Sequence, residues 1–215
     1  MNLINITVNT QSSIRIQGSK ILYFDPYQIQ TADHDAGFIF ITHEHYDHFE
    51  PESIAKLKKA DTRLVVPESM KKKVLAEAGI ASENCLFYQP NETHEEQGLL
   101  IETVPAYNKL KPFHTKGKKW LGYIVTLDGT RYYVSGDTDV NEDIMKVQCD
   151  VAMLPIGGLY TMDWKQAAEY VARIKPKAVV PTHYGSIVGK KTDGSAFKKE
   201  LAMLDSNIQT ELKLD

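Results

Sequence analysis

The sequence is poor in cysteine and has no long apolar run. Cys85 and Cys149 are the only cysteines among 215 residues and form no Cys-x-x-Cys pattern, which argues against a disulfide framework or a thiolate zinc site. No stretch approaches the roughly 20 apolar residues that cross a bilayer. The start, MNLINITVNT, lacks the basic and apolar regions of a secretory signal. We therefore expect a cytoplasmic protein with no membrane span.

Charge of one sign is also not in excess. The 25 Lys and Arg residues oppose 28 Asp and Glu residues, for a formal net charge of −3, so the chain lacks the basic character of a nucleic-acid-binding domain. Chains of about 100–250 residues usually form one domain, and we expect a single domain over 1–215. The sequence leaves the oligomeric state open, a homo-oligomer included.

Short apolar runs alternate with a few amphipathic segments along the whole chain. This arrangement predicts an α+β or α/β sandwich in which helices cover sheets. Asp163 and Gln166 form a capping box ahead of the best helix, 164–175, which Pro176 ends. The other predicted helices are 51–60, 69–78 and 195–204. The predicted strands are 4–8, 13–17, 21–24, 38–42, 63–66, 99–104, 121–127, 131–135, 151–155, 178–182 and 208–214.

Metal-ligating residue types are concentrated directly after the buried run FIFIT at 38–42. His43, His45, Asp47 and His48 lie within six residues, and their nitrogens and oxygens suit zinc or another divalent metal. At the end of an extended strand, His43 and His45 point to the same side and can share one ion. Asp47 and His48, where the chain turns, can serve a second ion. The segment predicts a metal site.

Two later segments end in the same way. The strand-like run RYYV is followed by Ser135-Gly136-Asp137, and AVVPT by His183. Each places a metal-competent side chain at the carboxyl end of a buried strand, where α/β folds tend to hold their sites. We expect these residues to converge with the first segment.

These three segments, in this order, resemble the metallo-β-lactamase superfamily. The resemblance covers residues from about 40 to 185 and implies a four-layer αββα sandwich with metals at one edge. It implies that His43 and His45 hold a first metal, that Asp47, His48 and His183 hold a second, and that Asp137 bridges them. It implies one or two divalent ions, zinc first, with manganese or iron as alternatives.

The sequence departs from this family at the third histidine of the first metal. No histidine follows the strand where Val104-Pro105-Ala106-Tyr107-Asn108 stands. His114 is our candidate, because it follows that strand and precedes Asp137, whereas His94 precedes the strand. Asn108 in this role, or an incomplete first site, stays open as an alternative.

Further segments resemble one branch of the superfamily, the metal-dependent hydrolases similar to sugar-phosphate lactonases and, more distantly, the phospholipase D that acts on N-acyl-phosphatidylethanolamines. The segments are Pro-Ala-Tyr-Asn at 105–108, Pro-Phe-His at 112–114 and Leu-Pro-Ile-Gly-Gly at 154–158. The resemblance implies an enzyme that uses a metal-bound hydroxide on an ester, lactone or phosphodiester. Asp47 and Asp137 would orient the water and take its proton. No Gly-x-Ser-x-Gly motif supports a serine mechanism.

The substrate is less clear from the sequence. Five lysines and no acidic residue occur between Lys109 and Lys119, and a local positive field would favour an anionic small molecule. Lys116, Tyr107, Asn108 and Tyr160 are the candidate substrate-binding residues. A nucleic-acid phosphodiesterase, a di-iron redox protein and a non-catalytic metal-binding protein are the alternative functions.

Overall fold

Two mixed β-sheets form the framework of the protein in the computed structural model, which describes residues 1–214. The first sheet has its six strands in chain order: β1 (Ile6–Val8), β2 (Ile14–Gln17), β3 (Ile21–Phe24), β4 (Ala36–Phe40), β5 (Lys58–Pro67) and β6 (Cys85–Tyr88). The second has seven: β7 (Thr93–Glu96), β8 (Leu99–Pro105), β9 (Leu121–Leu127), β10 (Thr130–Val134), β11 (Val151–Pro155), β12 (Ala178–Thr182) and β13 (Gln209–Thr210).

Each sheet begins with antiparallel hairpins and ends with parallel strands. In the first sheet β1, β2 and β3 pair antiparallel, and β3 to β6 pair parallel. In the second sheet β7 to β10 pair antiparallel, and β10 to β13 pair parallel. Parallel pairs need crossover connections, and four helices supply most of them. They are α1 (Pro51–Leu57), α2 (Lys71–Glu77), α3 (Trp164–Ile174) and α4 (Thr192–Leu204).

Three apolar layers separate the sheets and helices. Phe38 and Phe40 of β4 point into the layer between the two sheets, where Tyr123 and Val125 of β9 meet them. Ile39 points the other way, into the layer under α1 and α2, because successive strand side chains alternate between faces. A third layer packs α3 and α4 against the second sheet. The predicted αββα sandwich is confirmed.

The capping box of α3 is also confirmed. The Asp163 carboxylate accepts hydrogen bonds from the N–H groups of Lys165 and Gln166, at 2.9 and 2.8 Å, and the Gln166 side chain accepts one from the N–H of Asp163. The helix ends at Ile174, one residue before the predicted end, and its C-cap residue Lys175 adopts a left-handed conformation before Pro176.

Other element boundaries differ from the sequence prediction. The helix predicted over 51–60 ends at Leu57, and 58–60 begin β5, where Thr62 donates a hydrogen bond to the carbonyl of Ala36. The strands β6 and β7 were not predicted. The sequence of β7, THEE, has no apolar alternation and forms an edge strand through its pairing with β8. The run predicted over 208–214 forms only the two-residue β13. None of the helices among the described residues is long and apolar enough to cross a membrane.

Candidate metal centre

The candidate ligands follow strands that end at one edge of the sandwich. His43 to His48 follow β4, His114 lies between β8 and β9, Asp137 follows β10, and His183 follows β12. Since β8, β10 and β12 run in the same direction, their carboxyl ends meet at this edge. A hydrogen bond from Leu121 N–H to the Thr42 carbonyl (3.1 Å) joins the two sheets here.

The structure brings all seven sequence-predicted metal ligands into one cluster. Three groups have potential ligand atoms within 4.8 Å of one another, and Asp137 lies between the outer two. All the residues are buried except His45, which is half-buried. The groups are His43, His45 and His114; His43, His48 and Asp137; and Asp47, His48 and His183.

Distances inside the cluster fit shared metal ligation. His43 Nε2 lies 3.3 Å from His114 Nε2 and 3.1 Å from His45 Nδ1. Two nitrogens bound tetrahedrally at about 2.0–2.1 Å from one zinc would lie roughly 3.3 Å apart. Asp137 Oδ2 is 3.4 Å from His114 Nε2 and 3.5 Å from His183 Nε2. The ligand atoms of both outer groups therefore point towards Asp137.

Unpartnered buried atoms also fit a bound cation. His48 Nε2 and Asp137 Oδ1 are buried and have no hydrogen-bond partner within residues 1–214. Such atoms are rare in folded proteins, because a buried polar atom without a partner is destabilising. A divalent ion between them would satisfy both atoms, so the donor set fits a metal.

The protonation states of Asp137 and His43 suit a bound cation. Burial raises the pKa of Asp137, but His183, His48 and a hydrogen bond with His114 outweigh it and hold that pKa well below its ordinary value. Burial and the neighbouring histidines lower the pKa of His43 well below 6.5, with Asp137 opposing them. Asp137 is thus ionised and His43 neutral at neutral pH, the forms that ligate metals.

His48 behaves differently. Burial lowers its pKa, but Asp137 and Asp25 outweigh burial and raise the pKa well above its ordinary value. A metal ion bound at His48 would therefore compete with a proton.

Asp25 supports the cluster through hydrogen bonds to Thr42 and His48. It was not among the predicted site residues. It is fully buried, and its carboxylate accepts hydrogen bonds from Thr42 N–H (2.7 Å), Thr42 Oγ1 (2.7 Å) and His48 Nδ1 (2.8 Å). Because the hydroxyl proton of Thr42 goes to Asp25, its oxygen accepts from His43 Nδ1 at 3.0 Å. Nε2 of both histidines therefore faces the cluster, which is the orientation that ligating histidines need.

A sequence signal for Asp25 was present. Asp25 comes directly after the strand-like run ILYF, and Asp137 similarly comes three positions after the run RYYV. Pro26, which follows Asp25, indicated a turn instead of a site residue. Trp120 was also missed. It is buried, and its ring lies 4.8 Å from His43, 5.0 Å from His45 and 5.3 Å from His114, so it packs against the whole first group.

Two candidate ligands lie on strained backbone. His114 and His183 have φ angles of 57° and 55°, a left-handed region that costs non-glycine residues about 1–3 kcal/mol. Hydrogen bonds hold both. The His114 carbonyl accepts from Asn108 N–H at 2.7 Å, and His183 N–H donates to the Gln11 carbonyl at 3.0 Å.

The structure separates the candidate substrate-binding residues. Tyr160 lines a pocket of about 250 Å³ that opens onto the cluster. Asn108 is buried beside it and donates side-chain hydrogen bonds to the carbonyls of Phe113 (3.0 Å) and Tyr160 (2.7 Å). Tyr107 and Lys116 do not line this pocket. Their side chains meet each other and Asp143 instead.

Comparisons with known proteins agree with this geometry. The profile of the family described as "Beta-lactamase superfamily domain" matches residues 4–184. A UPF0173 metal-dependent hydrolase of Thermococcus onnurineus is 30% identical over 200 residues, covering 87% of this chain and 88% of the relative. The corresponding protein of Pyrococcus abyssi is 32% identical over 198 residues, covering 86% of each chain.

Solved structures share the fold of this chain. A metal-dependent hydrolase of Parabacteroides distasonis superposes with a TM-score of 0.77 at 29% identity, over 98% of this chain and 93% of that one. Igni18, a metallo hydrolase of Ignicoccus hospitalis, superposes with a TM-score of 0.79 at 22% identity, over 97% and 94% of the two chains.

Proposed function

The chain belongs to the β-lactamase superfamily as a metal-dependent hydrolase, and from that premise we propose that it hydrolyses a small ester, lactone or phosphodiester with two zinc ions. The observation that carries the proposal is the single cluster of five histidines and two aspartates open to a pocket. A purely structural zinc site is closed by four ligands, and this cluster has more ligands and an opening. The branch resemblance to sugar-phosphate lactonases is part of the proposal.

The residues divide between the two ions. His43, His45 and His114 would hold the first ion, and Asp47, His48 and His183 the second, with Asp137 between them. Zinc suits these imidazole and carboxylate ligands, which manganese and iron also accept. The bound ions would polarise the scissile group and lower the pKa of water.

Asp47 is the assigned proton acceptor. It lines the pocket and lies 3.2 Å from His183 Nε2. Burial raises its pKa, but the hydrogen bond with His183 and the charge of His48 outweigh burial and leave the pKa below its ordinary value. The carboxylate is therefore ionised at neutral pH and can accept a hydrogen bond from the attacking water. Asp137 shares the same pocket wall.

Metal content per chain tests the assignment of His114. We expect about two ions in the wild type and about one in His114→Ala, since the first group would lose one of its three histidines. His94→Ala is the matched control, because His94 pairs with Glu92 and stacks on Tyr88, outside the cluster. Equal metal content in wild type and His114→Ala would contradict the assignment.

Activity tests the hydrolase proposal itself. The metal-reconstituted protein is assayed against a panel of carboxylic esters, lactones and phosphodiesters. We expect hydrolysis of at least one class, which is lost on chelation and in Asp137→Asn and retained in His94→Ala. A folded, metal-loaded wild type that hydrolyses none of the three classes would refute the proposal.

A further inference from the structure

Five of the residues that line the pocket are apolar or aromatic, and the other five belong to the cluster. We name the first set the apolar rim and define it by Tyr46, Phe113, Tyr160, Ile187 and Val188.

Members of the apolar rim remain exposed although they are large and apolar. Tyr46 is 63% exposed, Phe113 49% and Ile187 42%. Phe113 also packs edge-on against Tyr160, with ring centroids 5.0 Å apart, which keeps the ring at the mouth of the pocket. Apolar side chains grouped at the mouth of a pocket are typical of a ligand-binding surface.

Cationic side chains are missing from this pocket. None of its lining residues is lysine or arginine. Four of the five lysines between positions 109 and 119 bind acidic partners instead, with N–O distances of 2.5–3.2 Å. The pairs are Lys109 with Glu142, Lys111 with Asp139, Lys116 with Asp143, and Lys118 with Glu44.

These ion pairs weaken the argument from the lysines for an anionic substrate. The positive field predicted from the lysines is largely compensated by the partners, and the ionisable groups that line the pocket are histidine, aspartate and tyrosine. A charged substituent placed against the apolar rim would lose part of its hydration without gaining a cationic partner, which is unfavourable. Cations bound at the cluster would contact the scissile group, and the neighbouring substituent would contact the apolar rim.

We propose that the apolar rim binds an uncharged apolar group next to the scissile bond, so that the substrate class is a neutral ester or lactone with an alkyl or aryl substituent. The inference rests on the proposed hydrolase function. At about 30 Å³ for a water-sized group, the pocket of about 250 Å³ holds roughly eight such groups. The apolar substituent is therefore short.

A homologous series of esters tests the proposal. The metal-reconstituted protein is assayed by proton release with ethyl acetate, ethyl butyrate and ethyl hexanoate. We expect kcat/KM to rise about fourfold for each added methylene, which corresponds to about 0.8 kcal/mol of burial. Ethyl pentanoate and monoethyl succinate form a pair of similar size that differs in charge, and we expect the neutral ester to react at least tenfold faster.

Variants of the apolar rim test whether the rim causes the dependence of kcat/KM on chain length. Phe113→Ser and Ile187→Ser are expected to flatten the dependence on chain length, so that the ratio of kcat/KM for ethyl hexanoate to kcat/KM for ethyl acetate falls towards one. Leu75→Ser is the matched control, because Leu75 is 47% exposed and belongs to α2, away from the pocket. Rates that do not depend on chain length, or faster hydrolysis of monoethyl succinate, would overturn the proposal.

Binding separates this inference from the hydrolase proposal. Binding of the same esters to the metal-reconstituted protein is measured by saturation-transfer NMR. Chain-length-dependent binding that weakens in Phe113→Ser, without hydrolysis of any ester, lactone or phosphodiester, would support the rim and refute the hydrolase proposal. Binding independent of chain length would refute the rim. Rim variants that convert a dimer into monomers and leave ester selectivity unchanged would show that the rim is a subunit interface, which also overturns the proposal.

Discussion

Replacing Asp25 by asparagine changes the support of the metal centre without changing its shape. The wild-type carboxylate accepts three hydrogen bonds, from Thr42 N–H, Thr42 Oγ1 and His48 Nδ1. An asparagine side chain keeps one acceptor oxygen and presents an NH₂ group to at least one of these donors. Asp25 Oδ2 accepts from both Thr42 Oγ1 and His48 Nδ1, and Oδ1 accepts from Thr42 N–H. With its NH₂ group at the Oδ2 position, asparagine can pair with His48 only where Nδ1 accepts, which moves the His48 proton to Nε2, the atom that faces Asp137. With the NH₂ group at the Oδ1 position, only the hydrogen bond from Thr42 N–H is lost.

The magnitude follows from these contacts. Loss of an outer partner of a ligating histidine typically lowers metal affinity 10–100-fold, which is about 1.4–2.7 kcal/mol. Hydrogen bonds to charged groups contribute about 1.5–3 kcal/mol each, so the loss of one or two, set by the orientation of the amide, should lower the free energy of unfolding by roughly 1.5 kcal/mol or more. Thr42→Val removes only the hydroxyl between Asp25 and His43, and we expect a smaller decrease in metal affinity.

Two measurements check these values. Zinc affinity is measured by competition with a chromophoric chelator, and the free energy of unfolding by urea denaturation in the presence of a chelator. Asp35→Asn is the control, because Asp35 pairs with Arg15 and Tyr23 at a partly exposed position away from the cluster. A folded Asp25→Asn protein with wild-type zinc affinity would refute the role assigned to Asp25.

Two further substitutions have defined outcomes. Gly136→Ala would place a Cβ 2.8 Å from Thr42 Cβ at a φ of +63°. We expect urea denaturation to show that this variant is destabilised by about 1–3 kcal/mol more than Gly98→Ala, where φ is also positive but no atom lies within 4 Å of the added Cβ. Equal losses of stability in the two variants would mean that only the backbone conformation matters. Asn108→Ala removes the side-chain hydrogen bonds to the carbonyls of Phe113 and Tyr160. This variant should lower the free energy of unfolding by about 1–3 kcal/mol. It should also loosen His114, which zinc titration would detect as weaker binding of one ion. An unchanged zinc titration would contradict the role of Asn108 in holding His114.

Local sequence determined β4 of the first sheet, much of the second sheet, and α3. Apolar runs that end at His43, Asp137 and His183 predict strands followed by ligands, because side-chain alternation and strand ends are local properties. The capping box at Asp163 is equally local. The resemblance of the three motifs to a known superfamily extended this local information to the whole sandwich, which the structure confirms.

Tertiary structure decided the remaining elements. The polar strand β7 exists only because β8 pairs with it, and the helix predicted over 51–60 gives way to β5 because 58–60 join the sheet beside β4. Backbone hydrogen bonds to a neighbouring strand come from residues distant in sequence, and local patterns do not contain them.

The same division holds at the metal centre. The sequence by itself supplied the seven candidate ligands, since imidazole and carboxylate groups in that order are recognisable without coordinates. Only the tertiary structure placed Asp25 behind Thr42 and His48, and Trp120 against three histidines. It also paired the lysines of 109–119 with acidic residues and put aromatic and aliphatic side chains at the pocket mouth. Ligand identity is a property of single residues, whereas hydrogen-bond partners, ion pairs and pocket walls depend on which distant segments meet after folding.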